Sequence, residues 1–267
     1  MIMKIAIIGA GNMGGALARG LARGTKVAAE DIWLSDLSYD NLAIVKNEFP
    51  AINITTDNCE AVSAADIIIL AVKPFVVQRV VEGIKDCIDY NSQTVASIVG
   101  GLGSEQLDAW LKKENDSLPP LYLIIPNTAI STLSSMTFIA SLRSTAAMDN
   151  ALLDIFNELG EAMLVEERMM MAGTSLASCG IAYAMRYIRA AMVGGVELGF
   201  RADEAKRIVM QTMRGAVDVL AAGNAHPEAE IDKVTTPGGL TIKGLNAMES
   251  AGFTNSVIEG LRASMKK

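Results

Sequence analysis

The chain has 267 residues, 51% hydrophobic but only 5% aromatic, which suffices for one large domain or two ordinary ones with a core of small aliphatic side chains and Met. A formal net charge of -7 argues against a basic nucleic-acid-binding face. Three scattered cysteines without CxxC spacing predict neither a disulfide framework nor a zinc site and fit a reducing compartment, while a lone histidine, His226, leaves little for a triad or a metal cluster.

Strand-like and helix-like segments alternate through the first half, beginning at the N-terminus with no separate signal peptide expected. Apolar runs predict strands at residues 4–8, 32–35, 67–71, 94–98 and 121–125, with 136–140 and 162–165 as extensions of the sheet. Helices are predicted between them at 13–23, 39–48, 75–84 and 104–113. Nearly continuous apolar runs such as 66–72 imply strands buried on both faces, the mark of a parallel sheet.

The first strand runs into Gly9-Ala10-Gly11-Asn12-Met13-Gly14 and then into a helix. In a strand–GxGxxG–helix unit the first glycine allows the tight turn and the second lets the backbone approach a pyrophosphate. The third permits close helix–strand packing, and the helix N-terminus offers N–H donors. Ser35-Asp36 closes the second strand roughly 20 residues later, where a carboxylate reads the adenosine ribose and repels a 2′-phosphate. No Lys or Arg stands in 35–40, which leans towards NADH, although Ser35 and Ser38 remain available to a phosphate. Thr56-Asp57-Asn58, ahead of a short helix, and Ala71-Val72-Lys73-Pro74 follow strands beside the expected cofactor. Lys73 is either a functional residue or a solvated lysine, and both readings stay open.

From about residue 166 the strand pattern stops and Ala, Met, Gly and Ile dominate. Residues 169–185 are uncharged but slightly short for a membrane span and read as a buried helix, so no membrane association is expected. Ala205, Ile208, Val209, Met213, Ala216, Val217 and Leu220 recur at helical spacing. The expected architecture is α/β, with a Rossmann-type doubly wound sheet in a dinucleotide-binding domain at 1–165. A smaller all-helical domain follows at 166–267. So apolar a helical domain is expected to bury a face in a homodimer or larger homo-oligomer.

Thr236-Pro237-Gly238-Gly239-Leu240-Thr241 precedes a predicted helix start. Its N–H groups and glycines suit a carboxylate, and Thr241 adds a hydroxyl that donates or accepts. An ordinary capped helix start, with Thr236 or Thr241 bonding the free amides, accounts for these residues equally well.

Taken in order, Met3-Lys4-Ile5 before the 9–14 loop, Ala71-Val72-Lys73-Pro74, Pro126-Asn127-Thr128 and the 236–241 block resemble the pyrroline-5-carboxylate reductases over nearly the whole chain. The resemblance implies NAD(P)H-dependent reduction of 1-pyrroline-5-carboxylate to L-proline by a cytoplasmic enzyme of proline biosynthesis. It implies cofactor contacts at Gly9, Gly11, Asn12, Met13, Gly14, Ser35, Asp36, Asn58, Ala71, Val72, Lys73, Pro74 and Asn127. Substrate contacts are implied at Thr236, Gly238, Gly239, Leu240 and Thr241, with the Thr241 hydroxyl at the ring nitrogen as the catalytic contact. No metal is implied.

The chain departs from the family pattern at Ala177-Ser178-Cys179-Gly180-Ile181-Ala182-Tyr183, where only part of Ser-Gly-Ser-Gly-Pro-Ala-Tyr is kept. Ala129 stands where a Pro is usual after the Pro126 block, the Arg before that block is absent, and Asn224 replaces an acidic residue before His226-Pro227. Two competitors remain. One is a related NAD(P)-dependent dehydrogenase of a small 2-keto or 3-hydroxy acid, for which Lys243 is the nearby candidate catalytic residue. The other is a non-catalytic dinucleotide-binding protein.

Overall fold

Residues 3–265 are described in a computed structural model. They divide into two compact units, which part between residues 178 and 179. The change of sequence texture at 165/166 precedes this division because 167–178 stays with the first unit. There Met170 joins its core, a Cβ on Gly173 would press on the Phe138 ring at 2.7 Å, and the Glu167 carboxylate accepts from the Ser104 N–H at 2.7 Å.

The first unit runs β1 (Ile5–Ile8), α1 (Asn12–Arg23), β2 (Ile32–Ser35), α2 (Tyr39–Glu48), β3 (Asn53–Thr55), α3 (Asn58–Ser63) and β4 (Ile67–Leu70). It continues through α4 (Val77–Ile84), β5 (Thr94–Ser97), α5 (Ser104–Leu111), β6 (Leu121–Ile125), β7 (Ser135–Leu142), α6 (Ala146–Asn157), β8 (Gly160–Leu164) and the single turn α7 (Met170–Gly173). The eight strands form one sheet in the order β3-β2-β1-β4-β5-β6-β7-β8. All neighbours are parallel except β6 and β7. The connection from 126 to 134 is too short for a crossover, which takes a dozen residues or more, so β7 returns antiparallel.

Alternation along the strands splits the core into two layers. Ile5 and Ile7 enter one cluster with Leu17, Leu42 and Phe156, whereas Ala6 and Ile8 enter the other with Val62, Val81 and Leu107. Successive strand residues face opposite sides, so a sheet clad in helices on both faces needs continuous apolar runs. Ile67, Ile68, Ile69 and Leu70 are all fully buried, as the unbroken run in the sequence implies.

Two elements of the first unit lie outside the sequence reading. β3 has only three residues and no apolar run, and its place beside β2 comes from sheet pairing. α6 is started by Thr145, whose Oγ1 accepts from the Met148 N–H at 3.3 Å, and Leu152, Ile155 and Phe156 are its buried stripe.

The cysteine expectation is corrected. Cys59, in the first turn of α3, and Cys87, just beyond α4, are joined as a disulfide with Cα atoms 5.7 Å apart. A separation of 28 residues hides the pairing, because only the packed sheet brings these helix ends together.

The second unit holds α8 (Gly180–Glu197), α9 (Ala202–Ala221), α10 (Pro227–Lys233), α11 (Leu240–Ser250) and α12 (Phe253–Ser264). α8 and α9 meet closely, a Cβ on Gly195 falling 3.0 Å from that of Ala205, the buried residue of α9. Tyr187 of α8 and Phe253 of α12 pack edge to face at 6.2 Å. The expectation of a buried helix over 169–185 is corrected for the single chain. Leu176 is 65% and Met185 57% exposed, and α8 has no buried residue. Ile208, Val217 and Leu220 of α9 are likewise exposed. No helix among the described residues is long and apolar enough to cross a membrane.

Candidate functional site

Strand order reverses between β1 and β4, the switch point of the sheet, and ligands of open α/β sheets lie beyond the C-terminal strand ends there. A cavity of about 510 Å³ opens at that place. Of the residues proposed from sequence, Gly9, Ser35, Asp36, Asn58 and Val72 line it. Gly9 is held at φ +109, and a Cβ there would lie 2.8 Å from the Ala71 carbonyl oxygen, so the glycine loop and the 71–74 loop touch only because Gly9 has no side chain. A Cβ on Gly14 would collide with the Gly9 carbonyl oxygen.

Gly11 differs from both. A Cβ there meets nothing within 4 Å, and Gly11 is the N-cap of α1 without any side-chain cap. The first-turn N–H groups over Asn12 and Met13 therefore face an open cradle, which fits a pyrophosphate. Met13 itself packs on the core, and Asn12 is exposed.

Both Asp36 oxygens are occupied by the loop they face. Oδ2 accepts from the Ala10 N–H at 2.7 Å and Oδ1 from the Ser38 N–H at 2.8 Å, so the carboxylate ties the end of β2 to the glycine turn. Ser35 is fully buried and donates to Asn58 Oδ1 at 2.6 Å, which seats α3 against β2. Lys73 and Pro74 are exposed in the loop after β4, and Lys73 makes no ion pair among the described residues. Asn127, after β6, is 8% exposed, and its Oδ1 accepts from the Ala129 N–H at 3.0 Å. Asn127 therefore starts the short helical turn Thr128–Thr132.

The sequence reading missed the far wall of the cavity. Val76, Arg79, Val80 and Gly83 line it from α4 and the turn before it. Their spacing of three and four residues puts them on one helix face, a signal present in the sequence but indistinguishable there from a core stripe. Two carboxylates, Asp36 and Asp57, share the cavity with one guanidinium, Arg79.

In the second unit, α11 begins at Gly239, again with no side-chain cap. Gly238 sits at φ +70, and the Gly239 N–H donates to the Thr236 carbonyl at 2.8 Å, closing a tight turn. A Cβ on Gly239 would collide with Thr236 Oγ1. Neither Thr236 nor Thr241 caps the helix, so the capped-start alternative lacks its hydrogen bond. Thr236, Leu240, Thr241 and Lys243 are all exposed. His226 starts α10, its Nδ1 accepting from the Glu228 N–H at 3.3 Å.

Two of the altered stretches meet within the first unit. Ser178 Oγ donates to the Pro126 carbonyl oxygen at 2.9 Å, at the end of a π-helical turn Thr174–Cys179. In the second unit, the Tyr183 hydroxyl donates to the Gly260 carbonyl at 3.2 Å. The described residues hold no cluster of His, Cys, Asp or Glu that would bind a metal.

The family model for pyrroline-5-carboxylate reductase dimerisation matches residues 167–267, and that for NADP oxidoreductase, coenzyme F420-dependent, matches 4–100. Pyrroline-5-carboxylate reductase 1 of Dictyostelium discoideum is 38% identical over 98% of the chain, which spans 49% of that protein's length. Pyrroline-5-carboxylate reductase 2 of the same organism is 36% identical over 99% of the chain and 91% of its own length. A solved structure of Plasmodium falciparum pyrroline carboxylate reductase with NADP bound superposes with a TM-score of 0.88. It is 26% identical, covering 98% of this chain and 95% of that one. The chain belongs to the pyrroline-5-carboxylate reductase family, NAD(P)H-dependent oxidoreductases that reduce a cyclic C=N bond.

Proposed function

We infer that two binding features of this chain divide the reduction of 1-pyrroline-5-carboxylate to proline between them. The 9–14 loop with Ser35, Asp36, Asn58, the 71–74 loop and Asn127 holds the dinucleotide. The turn of Thr236, Gly238, Gly239, Leu240 and Thr241 takes the substrate. A bound nicotinamide supplies hydride to the imine carbon. Everything else asked of the protein is positioning, desolvation and one hydrogen bond at the ring nitrogen.

The observation that carries this reading is the uncapped turn before α11. Its glycines leave the first-turn N–H groups of α11 without a side-chain cap, where a carboxylate finds donors and the positive end of the helix dipole. Thr241 then brings an exposed hydroxyl one residue into that turn. A steady-state assay with pyrroline-5-carboxylate, run with NADH and NADPH side by side, tests the reading directly. Absence of turnover with both would end it.

NADH is the favoured cofactor in this reading, although the Plasmodium relative's structure holds NADP. Two carboxylates against one guanidinium leave the adenosine cavity unfavourable to a 2′-phosphate. Asp36→Ser is expected to raise the NADPH to NADH ratio of kcat/KM by about tenfold, the effect of roughly 1.4 kcal/mol of relieved repulsion. A ratio that stays put would show that Asp36 serves only the glycine turn.

Assembly follows from the exposed apolar faces of α8 and α9 and the match to a dimerisation family over 167–267. We propose a homodimer or larger homo-oligomer formed through the helical unit, working in the cytoplasm. Light scattering at micromolar protein is expected to give at least twice the 28.3 kDa chain mass, and a monomer mass would refute the assembly.

A further inference from the structure

We infer that Cys59 and Cys87 form a reversible thiol–disulfide site that sets the affinity of the adenosine cavity. This inference rests on the cofactor reading of that cavity. Cys59 lines the cavity from α3, and the bond to Cys87 ties α3 to the end of α4, the helix that forms the opposite wall. One residue before Cys59, Asn58 accepts from Ser35 at the mouth of β2. The bond therefore fixes the distance between the Asn58 side and the Val76, Arg79 and Gly83 side.

No other covalent bond holds α3, which otherwise rests on the buried Ala61 and Val62 and on Gln93 Nε2, a donor to the Val62 carbonyl at 2.7 Å. It has six residues, too few to persist by its own backbone hydrogen bonds. Its Asp57 cap and the Asn58–Ser35 bond secure the first turn, which carries Cys59 and faces the cavity. Opening the disulfide releases the one covalent link across the cavity.

The opened state has a partner waiting for it. Cys59 Sγ lies 3.6 Å from the Gly83 carbonyl oxygen, itself on the cavity wall. A disulfide sulfur carries no proton, so this contact becomes a hydrogen bond only when Cys59 is a thiol. Both redox forms are thereby satisfied locally, as a reversible site requires, and the thiol form is held by a weaker, more yielding tie.

Access and chemistry agree. Both cysteines are partly exposed, and Cys87 also lines a separate open hollow beside Lys4 and Asp66. A thiolate from a small dithiol or a dithiol protein attacks Cys87 Sγ, and the Cys59–Cys87 bond breaks. Cys59 leaves as a thiolate and takes up a proton. The second thiol of the reductant then attacks the mixed disulfide, freeing Cys87 as a thiol and leaving the reductant as a disulfide. Two electrons pass in all, and an oxidised dithiol reverses the sequence. In the reducing compartment proposed above, such a bond persists only as an exchanging one.

NADH fluorescence titrations of the oxidised protein and of protein reduced with a phosphine, each with a thiol count after denaturation, test this. One thiol, Cys179, is expected in the oxidised form and three after reduction. Reduction is expected to weaken NADH binding at least about fivefold, the lower end of couplings between linked sites. Cys87→Ser, outside the cofactor cavity, is expected to bind like reduced protein and to ignore the phosphine. Three thiols before reduction would overturn the inference, as would equal or tighter binding after it. So would a phosphine effect that persists in Cys87→Ser. NADH binding by neither form would instead remove the cofactor cavity itself, and the inference with it.

Discussion

Gly11→Val is expected to abolish measurable cofactor binding while the protein stays folded. The two neighbouring glycines could not serve for this test. A side chain on Gly9 meets the Ala71 carbonyl and one on Gly14 meets Gly9, so either substitution disturbs the turn itself. At Gly11 the added atoms enter open space at the mouth of α1, and its φ of -67 is available to any residue. That space is where a pyrophosphate has to approach the first-turn N–H groups. Three extra carbons there force the phosphates out of hydrogen-bonding range. Losing two charge-assisted hydrogen bonds at about 1.5–3 kcal/mol each weakens binding by at least about a hundredfold. Val is a poorer helix start than Gly, so a small fall in melting temperature, equivalent to less than about 1 kcal/mol, accompanies the loss. NADH titration and thermal melts separate the two effects. Unchanged affinity in a folded Gly11→Val protein would sink the assignment of this loop to the dinucleotide.

The contrast between Gly11 and its neighbours also shows how far the sequence could be read. The GxGxxG spacing placed the loop, the strand before it and the helix after it, because local geometry demands glycine at positions 9 and 14 and a ligand at 11. The same holds for the 66–72 run, whose unbroken apolar character has one structural solution in a sheet covered on both faces. Long-range pairing was not legible. β3 carries no apolar pattern of its own, and Cys59 meets Cys87 only after α3 and α4 have docked on the sheet. Arg79 escaped notice for a related reason. It lies far along the chain from Asp36 and reaches the same cavity only through the position of α4. Residues 169–185 raise a different point. Their apolar character was read as a buried helix in a domain that covers a face in a homo-oligomer, and Leu176 and Met185 are open in the single chain. Composition reports how much surface must be covered, not which copy covers it.

Thr241→Ala is expected to lower turnover by roughly one to two powers of ten while leaving NADH affinity nearly untouched. Its hydroxyl makes no hydrogen bond among the described residues and stands one residue inside an uncapped helix start. In the proposed reaction the ring nitrogen changes from imine to amine as hydride arrives. A hydrogen bond to a group whose charge is changing contributes about 1.5–3 kcal/mol, which sets the size of the expected loss in kcat. Thr241→Ser keeps the hydroxyl and is expected to retain most activity. Stability separates this role from a structural one. Since Thr241 caps nothing, its replacement by Ala, a better helix former, is expected to leave the melting temperature level or slightly raised. A helix-start role would give the opposite pattern, a lowered melting temperature with normal turnover. The glycines give a further control, because Gly238 holds φ +70 and its replacement by Ala strains the turn. Gly238→Ala is therefore expected to raise KM for the substrate as the backbone N–H groups shift, whereas Thr241→Ala acts on kcat. If Thr241→Ala changes stability alone, the hydroxyl leaves the reaction, and only the Gly238–Gly239 backbone remains as the carboxylate site.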